Sequence, residues 1–305
     1  MENLKIAYLQ LALSMSFVGA NVAVGKIIVQ EVPIFLFSEI RFLIALLFLI
    51  PMLLMSRQPK VDMQKGHWLF LFLQSFFGVF LFSVLMLYGV LFTSATSAGI
   101  ITSTVPAIIA LLSFFFLRER LSVPQMFSIG LVVIGISIIT FQDNRSHTGG
   151  NYALLGNILV FGAVISEALF TIFAKKLSNV LSPIQMSTGV NIVGLLLFLP
   201  FAIKEAISFD FIHLEVSMWL LIIYYAITAS VLSFVLWYLG VAKVKASIAG
   251  IFTGFIPIAA TLVGIIFLQE AFDWNKAIGM VSVLAAIVLG TRGTLTQEKE
   301  QIQNI

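Results

Sequence analysis

The stretch WLFLFLQSFFGVFLFSVLMLYGVLFTSATSAGIITSTVPAIIALLSFFFL, from Trp68 to Leu117, has no charged residue in fifty positions. A membrane crossing needs about 20 apolar residues. The run is therefore too long for one span and fits two, joined by a tight turn near Thr93-Ser94-Ala95-Thr96. The same block returns later in the chain. Trp68-Leu69, Val84-Leu85, Gly89-Val90 and Ala98-Gly99-Ile100 reappear as Trp219-Leu220, Val235-Leu236, Gly240-Val241 and Ala249-Gly250-Ile251. Thr102, Pro106 and Leu117-x-Glu119 reappear as Thr253, Pro257 and Leu268-x-Glu270, and every pair is 151 residues apart. A constant offset over half the chain marks an internal duplication. A duplicated chain that crosses the membrane many times is the pattern expected of a transporter.

Composition points the same way. Of the 305 residues, 60% are hydrophobic and 10% charged, with a mean hydropathy of +1.08. A soluble domain carries about 25% charged residues, so lipid must be the outer solvent and an all-α integral membrane protein is predicted. Apolar runs and Pro, Gly and charge breaks predict ten transmembrane helices. They fall near residues 7–29, 34–55, 68–91, 95–117, 123–141, 152–174, 183–203, 216–239, 246–268 and 275–292. These group into two five-helix repeats, 7–141 and 152–292, with a polar extracellular linker at 142–151 and a cytoplasmic tail at 293–305. No cleavable leader is predicted. The absence of Cys excludes disulfides, thiolate metal sites and Cys nucleophiles. The net charge of +3 and pI near 9.1 reflect loops held in the cytoplasm rather than a nucleic-acid partner.

Positive charge sets the orientation. With both termini cytoplasmic, twelve Lys and Arg residues lie inside: Lys5, Arg57, Lys60, Lys65, Arg118, Arg120, Lys175, Lys176, Lys243, Lys245, Arg292 and Lys299. Four lie outside, Lys26, Arg145, Lys204 and Lys276, and Arg41 is left within a span. Five helices per repeat is an odd number, so the second repeat enters from the opposite side and the repeats are inverted. Such repeats place substrate near the midplane between the halves, and rocking exposes it to each side in turn.

Ionisable groups within spans are costly and are functional candidates by default. Glu39 and Arg41 on the second predicted helix and Glu167 on the sixth qualify. Glu39 and Arg41 are two residues apart, so they point in different directions; each either organises the outer mouth or finds a partner of its own. Glu167 lies about fifteen residues into its helix and is the best placed carboxylate to exchange a proton or bind a cation. Its alternative is a structural pair with Arg41 or an amide. Asn21, Gln74, Asn157 and Asn191 are uncharged polar groups at similar depth. Pro33-Ile34 and Pro183-Ile184 set an offset of 150 that pairs Arg41 with Asn191. Those two either share a cavity or bond neighbouring helices. Tyr88, Tyr224, Tyr225, Trp237 and Tyr238 on the third and eighth helices form an interfacial belt or line a cavity. Candidate substrate contacts are thus Asn21, Arg41, Gln74, Tyr88, Glu167, Asn191, Tyr225 and Trp237. Gly250 and Gly254 form a GxxxG pair suited to close helix packing. Pro106 and Pro257 are expected mid-span, where proline removes a backbone bond and kinks a helix; they are the gating candidates. His67, His147 and His213 are far apart, and no HExxH, P-loop or GxSxG motif occurs. No enzymatic activity, cofactor or metal is predicted.

Gly19-Ala-Asn21 with Lys26 and Arg41 resembles the opening of an EamA repeat. Ser97-Ala-Gly99, Pro106 and Leu117-x-Glu119 resemble its later segment, with a second copy ending Leu268-Gln-Glu270. Across about residues 7–292 the chain resembles the EamA branch of the drug/metabolite transporter superfamily. The resemblance implies ten helices in two inverted repeats and a secondary transporter of small molecules. Family members commonly export amino acids and other metabolites. Import of a small amine or other metabolite is the alternative within transport, and a membrane-embedded enzyme or sensor the alternative outside it. The implied partners are a small-molecule substrate and the lipid bilayer, with a monomer or homodimer both compatible; Glu167 makes protons the candidate coupling ion, with facilitated diffusion the alternative. The implied location is the cell membrane. The second copy reads Glu167 through Lys175-Lys176 where the first has Asn21 and Lys26, so strict functional symmetry is not expected.

The predicted orientation has a direct test in a chain without native Cys. An impermeant thiol reagent applied to intact cells should label Ser146→Cys. Labelling confined to broken cells would reverse the topology.

Overall fold

Residues 2–56, 63–92, 98, 101–141, 153–267 and 274–303 are described by the computed structural model, and among them no strand occurs. In lipid each backbone N–H and C=O needs an internal partner, and a helix supplies it within one segment. Helix α1 is Glu2–Glu31, α2 Ile34–Met55, α4 Val105–Leu117, α5 Val123–Phe141, α6 Ala153–Leu177, α7 Pro183–Ser208 and α10 Trp274–Gln303. Helix α3 runs through residues 65–92 as Lys65–Ser75, Phe76–Leu81 and Phe82–Phe92; α8 runs through 216–241 as Val216–Tyr225, Ala226–Leu232 and Ser233–Val241. Helix α9 is broken into Ala246–Phe252 and Phe255–Phe267. Seven of these rods are long and apolar enough to cross a membrane, and Val105–Leu117, Val123–Ile138 and Ala277–Thr291 are shorter apolar helices. The predicted turn near residue 94 and the linker 142–151 lie outside the described residues.

The middle segments of α3 and α8 are π-helical. The Phe82 N–H reaches the Phe77 carbonyl, and the Ser233 N–H reaches the Thr228 carbonyl, each five residues back. The two interruptions are 151 residues apart, so the duplication extends to an irregularity of the backbone.

The prolines correct the sequence expectation. Pro106 and Pro257 are not kinks within continuous helices. Turns at residues 103–104 and 253–254 interrupt each rod first, and the prolines fall in the first turn of the segment that follows. There the missing N–H has no helical acceptor to lose. At the second break, the Thr253 and Gly254 N–H groups bond the Gly250 and Ile251 carbonyls at 3.1 and 3.2 Å, three residues back.

The halves pack reciprocally. Helix α1 lies against α8 and α9, and α6 lies against α3 and α4; α2 pairs with α7, and α5 with α10. Glycines permit the closest approaches. A Cβ at Gly89 would stand 2.6 Å from Val160 Cγ2 and 3.2 Å from the Gly156 carbonyl. A Cβ at Gly240 would stand 2.5 Å from Leu11 Cγ and 3.1 Å from the Ala7 carbonyl. Gly156 and Val160 follow Ala7 and Leu11 by 149 residues, so the same contact is made twice. Of the GxxxG pair, Gly250 faces Ile109 on α4 and Gly254 faces Val283 on α10.

Polar ties mark the two ends of the bundle. Arg118 ends α4 in the left-handed conformation (φ 55°), which turns the chain so that Glu119 meets the start of α9. The Glu119 carboxylate accepts from the Ala246 and Ser247 N–H groups at 2.7 and 3.1 Å and from the Ser247 hydroxyl at 2.8 Å. Negative charge at a helix N-terminus offsets its unpaired donors. Lys175 Nζ donates to the Val241 and Ala242 carbonyls at 2.9 and 3.2 Å, at the end of α8. At the other end, the Leu36 N–H donates to Glu205 at 2.8 Å.

Gly19 crosses closest to the backbone of another helix among the described glycines, since a Cβ there would lie 2.2 Å from the Ile256 carbonyl. Gly19→Leu should lower the thermal midpoint in detergent, through overpacking of about 1–3 kcal/mol. Gly130→Ala, with nothing within 4 Å, should leave it unchanged. Equal midpoints would show that the α1–α9 contact can yield.

Candidate functional site

Helix α8 is where the polar side chains of three other helices converge. On α1, Asn21 Nδ2 donates to Thr228 Oγ1 at 2.9 Å and to its own Phe17 carbonyl at 2.8 Å. One turn-pair away, Ser14 Oγ donates to the Ser233 carbonyl at 2.8 Å, with its hydroxyl 3.1 Å from that of Ser233. On α7, Asn191 Nδ2 donates to the Ser187 carbonyl at 2.7 Å and the Ser230 carbonyl at 3.2 Å. On α2, the Arg41 guanidinium lies 5.8 Å from the Tyr225 ring centre, with the Phe42 ring at 4.4 Å. Phe37 meets Tyr225 edge-on at 4.9 Å, and Gly25 leaves room for the Tyr225 ring. Thr228, Ser230, Asn21 and Asn191 are all buried.

Several polar atoms in this region are enclosed without a hydrogen-bond partner: Glu39 Oε2, Arg41 Nε, Ser187 Oγ, Asn191 Oδ1 and Ser230 Oγ. Enclosing such a group unpaired costs about 1–3 kcal/mol. The exposed Asp210–His213 contact, 2.5 Å long, is the one ion pair among the described residues. The His213 hydrogen bond holds the Asp210 carboxyl below its ordinary range. Any stability it lends is present above the ordinary carboxylate range and is lost as pH falls through the lowered pKa. At this exposure that contribution is small.

The candidates read from the sequence separate into groups. Asn21, Arg41, Asn191 and Tyr225 come together around α8. Gln74 on α3 bonds the Tyr238 hydroxyl at 2.8 Å and leaves its Oε1 unpartnered. Trp237 is buried in the core with Nε1 unpartnered. Tyr88 and Tyr224, 48% and 45% exposed, face outward, so the aromatic group is not a single cluster. Glu167 on α6 is half-buried and has no pairing side chain among the described residues. The expected alternative of a Glu167–Arg41 pair is therefore not formed. Glu39 is 6% exposed, with Oε2 enclosed and unpartnered. Sequence reasoning missed Thr228, Ser230, Ser187, Ser14 and Ser233. Their signal is weak, because a hydroxyl in a span can bond its own preceding turn and commonly carries no further meaning.

These features are those of a polytopic membrane transporter, and the comparisons agree. Residues 5–141 and 154–292 each match the EamA-like transporter family, and the chain belongs to that family. It is 44% identical over 281 residues to the uncharacterized transporter YetK of Bacillus subtilis (strain 168), covering 92% of this chain and 85% of that protein. An uncharacterized transporter of Archaeoglobus fulgidus is 26% identical over 286 residues, covering 93% and 98%. A solved crystal structure superposes with a TM-score of 0.80 at 15% identity, covering 97% of this chain and 99% of that one. At that identity the likeness concerns the fold.

The α1–α8 contact should be energetically real. A double-mutant cycle of Asn21→Ala and Thr228→Val, read by unfolding in detergent, should give a coupling of about 0.6–1.7 kcal/mol. Strict additivity would leave the pair as mere proximity.

Proposed function

We propose that the chain is a secondary transporter that exports amino acids or related small metabolites by alternating access. In this reading ten helices form two inverted five-helix repeats in the cell membrane, with both termini cytoplasmic. Three features support it. The contacts exchange between halves as an inverted duplication requires: α1 relates to α8 and α9 as α6 relates to α3 and α4. Polar groups with unspent hydrogen-bonding capacity lie inside the apolar spans, where they are expensive unless used. Matched π-segments in α3 and α8, and matched turns before α4 and within α9, supply places where rods can flex. The observation that carries most weight is the enclosed, unpartnered polar set around α8.

Asn21, Arg41, Asn191 and Tyr225 are the substrate-contact candidates this geometry favours. Gln74, Tyr88 and Trp237 are secondary ones. The breaks that precede Pro106 and Pro257 take the gating role. Glu167, without a pairing side chain, is the group that exchanges a proton during the cycle.

Reconstituted protein should move radiolabelled amino acids in counterflow, and an imposed proton gradient should drive the flux. Glu167→Gln should abolish the dependence on the gradient while counterflow persists. Absence of counterflow for amino acids, amines and nucleosides alike would reject the transport reading. Unaltered gradient dependence in Glu167→Gln would reject the proton role alone.

A further inference from the structure

The connection between α8 and α9, residues 242–245, is pinned on both sides. On the α8 side, Lys175 Nζ donates to the Val241 and Ala242 carbonyls at 2.9 and 3.2 Å. On the α9 side, the Ala246 and Ser247 N–H groups and the Ser247 hydroxyl donate to the Glu119 carboxylate at 2.7, 3.1 and 2.8 Å. Lys245 Nζ donates to the Arg120 carbonyl at 3.1 Å. Lys175 belongs to the same repeat as the connection, whereas Glu119 and Arg120 belong to the other. Four hydrogen bonds thus cross between the repeats within three consecutive residues, Lys245 to Ser247.

Those bonds hold one end of a short arm. Ala246–Phe252 is the first segment of α9, and every residue in it is buried. Its other end is the break at residues 253–254. A rod bends most readily where its backbone ladder is already interrupted. Ile248 and Ala249 of the arm share one apolar cluster with Leu11, Leu177, Val241 and Val244. That cluster plugs the end of the bundle where α1 begins, since Ala7 and Leu11 lie against Gly240.

Position makes the tie reversible. A polar bond broken in hydrocarbon leaves its groups without water to turn to. Glu119, Arg120 and Lys245 lie in connections beyond the ends of their helices, so groups freed there exchange a protein partner for water at modest net cost.

We propose that Glu119 is a releasable latch that keeps this end of the bundle closed. Its bonds to Ala246 and Ser247, with Lys245 on Arg120, hold the first segment of α9 on the plug, and their release lets that arm swing about residues 253–254. Lys175, whose acceptors lie in its own repeat, anchors the α8 side throughout. The structure is then the conformation closed at the end where α1 begins. The latch's place in a transport cycle rests on the alternating-access reading; the closure itself does not.

The test is thiol accessibility, in a chain with no Cys of its own. Three single-Cys reporters replace buried residues: Val244→Cys on the connection, Leu177→Cys in the plug and Ile28→Cys toward the other end of α1. Each is made with and without Glu119→Gln, and the purified full chain is treated with a water-soluble maleimide. Glu119→Gln should raise the rates at positions 244 and 177 about ten- to a hundredfold, the factor by which one lost charged hydrogen bond moves a two-state equilibrium. The rate at position 28 should not rise. Ser247→Ala, which deletes a single bond, serves if the glutamine variant does not fold, and should raise the same two rates by a smaller factor. The latch is overturned if the rates do not change, if the rise is confined to position 244, which marks local fraying, or if all three positions rise equally, which marks general loosening. Solute counterflow separates the two readings. Rates that rise as expected in a protein that moves no solute leave the latch and remove its transport role. Wild-type flux with accessibility unmoved by Glu119→Gln leaves transport and removes the latch.

Discussion

Hydrocarbon offers no hydrogen-bond partner, and the rest of this structure follows from that. The backbone meets the constraint by becoming helical. Polar side chains can meet it only by reaching a neighbouring helix or their own preceding turn. Hence the polar groups of α8 are not scattered: Thr228 meets Asn21, Ser233 meets Ser14, the Ser230 carbonyl meets Asn191, and Tyr225 meets Arg41. Lipid gives no hydrophobic drive for helices to associate, so close backbone approach must supply cohesion. Gly19 against the Ile256 carbonyl and the paired Gly89 and Gly240 contacts do this.

Duplication built the frame, and divergence built the polar ties around α8. Gly89 and Gly240 make equivalent contacts, 151 residues apart, against equivalent residues of α6 and α1. The same registers carry Asn21 onto Phe170 and Thr228 onto Phe77, at offsets of 149 and 151. Where one half joins α1 to α8 through an amide and a hydroxyl, the other presses Phe170 against Gly78 and α3. Packing symmetry costs nothing to retain, since it depends on shape. Chemical symmetry would bury a second polar set, at about 1–3 kcal/mol for each unpaired group.

The Leu117-x-Glu119 motif shows how a sequence pattern acquires a physical role only in three dimensions. Its carboxylate covers the N-terminus of α9, a helix that starts 127 residues later. The left-handed Arg118 makes the turn that aims it. The tie joins one repeat to the other at the end of the bundle where Lys175 also holds the α8 carbonyls. Its repeat mate, Glu270, lies outside the described residues.

Much of this was written in the sequence alone. Charge-free runs, a constant 151-residue offset and a charged share of only 10% determine a duplicated helical membrane protein, because solvent and span length leave no other solution. The depth of Asn21, Arg41, Glu167 and Asn191 could likewise be counted along the chain. Tertiary structure alone decided which of them meet. It separated Glu167 from Arg41, turned Tyr88 and Tyr224 outward, and moved the interruptions to the residues before Pro106 and Pro257. It also gave Ser230 and Thr228 a role that a hydroxyl in a span does not announce. The physical reason is that periodicity fixes a residue's height and face on its own helix, whereas partners depend on how helices cross. That crossing is set by small residues and π-turns acting between segments 150 residues apart.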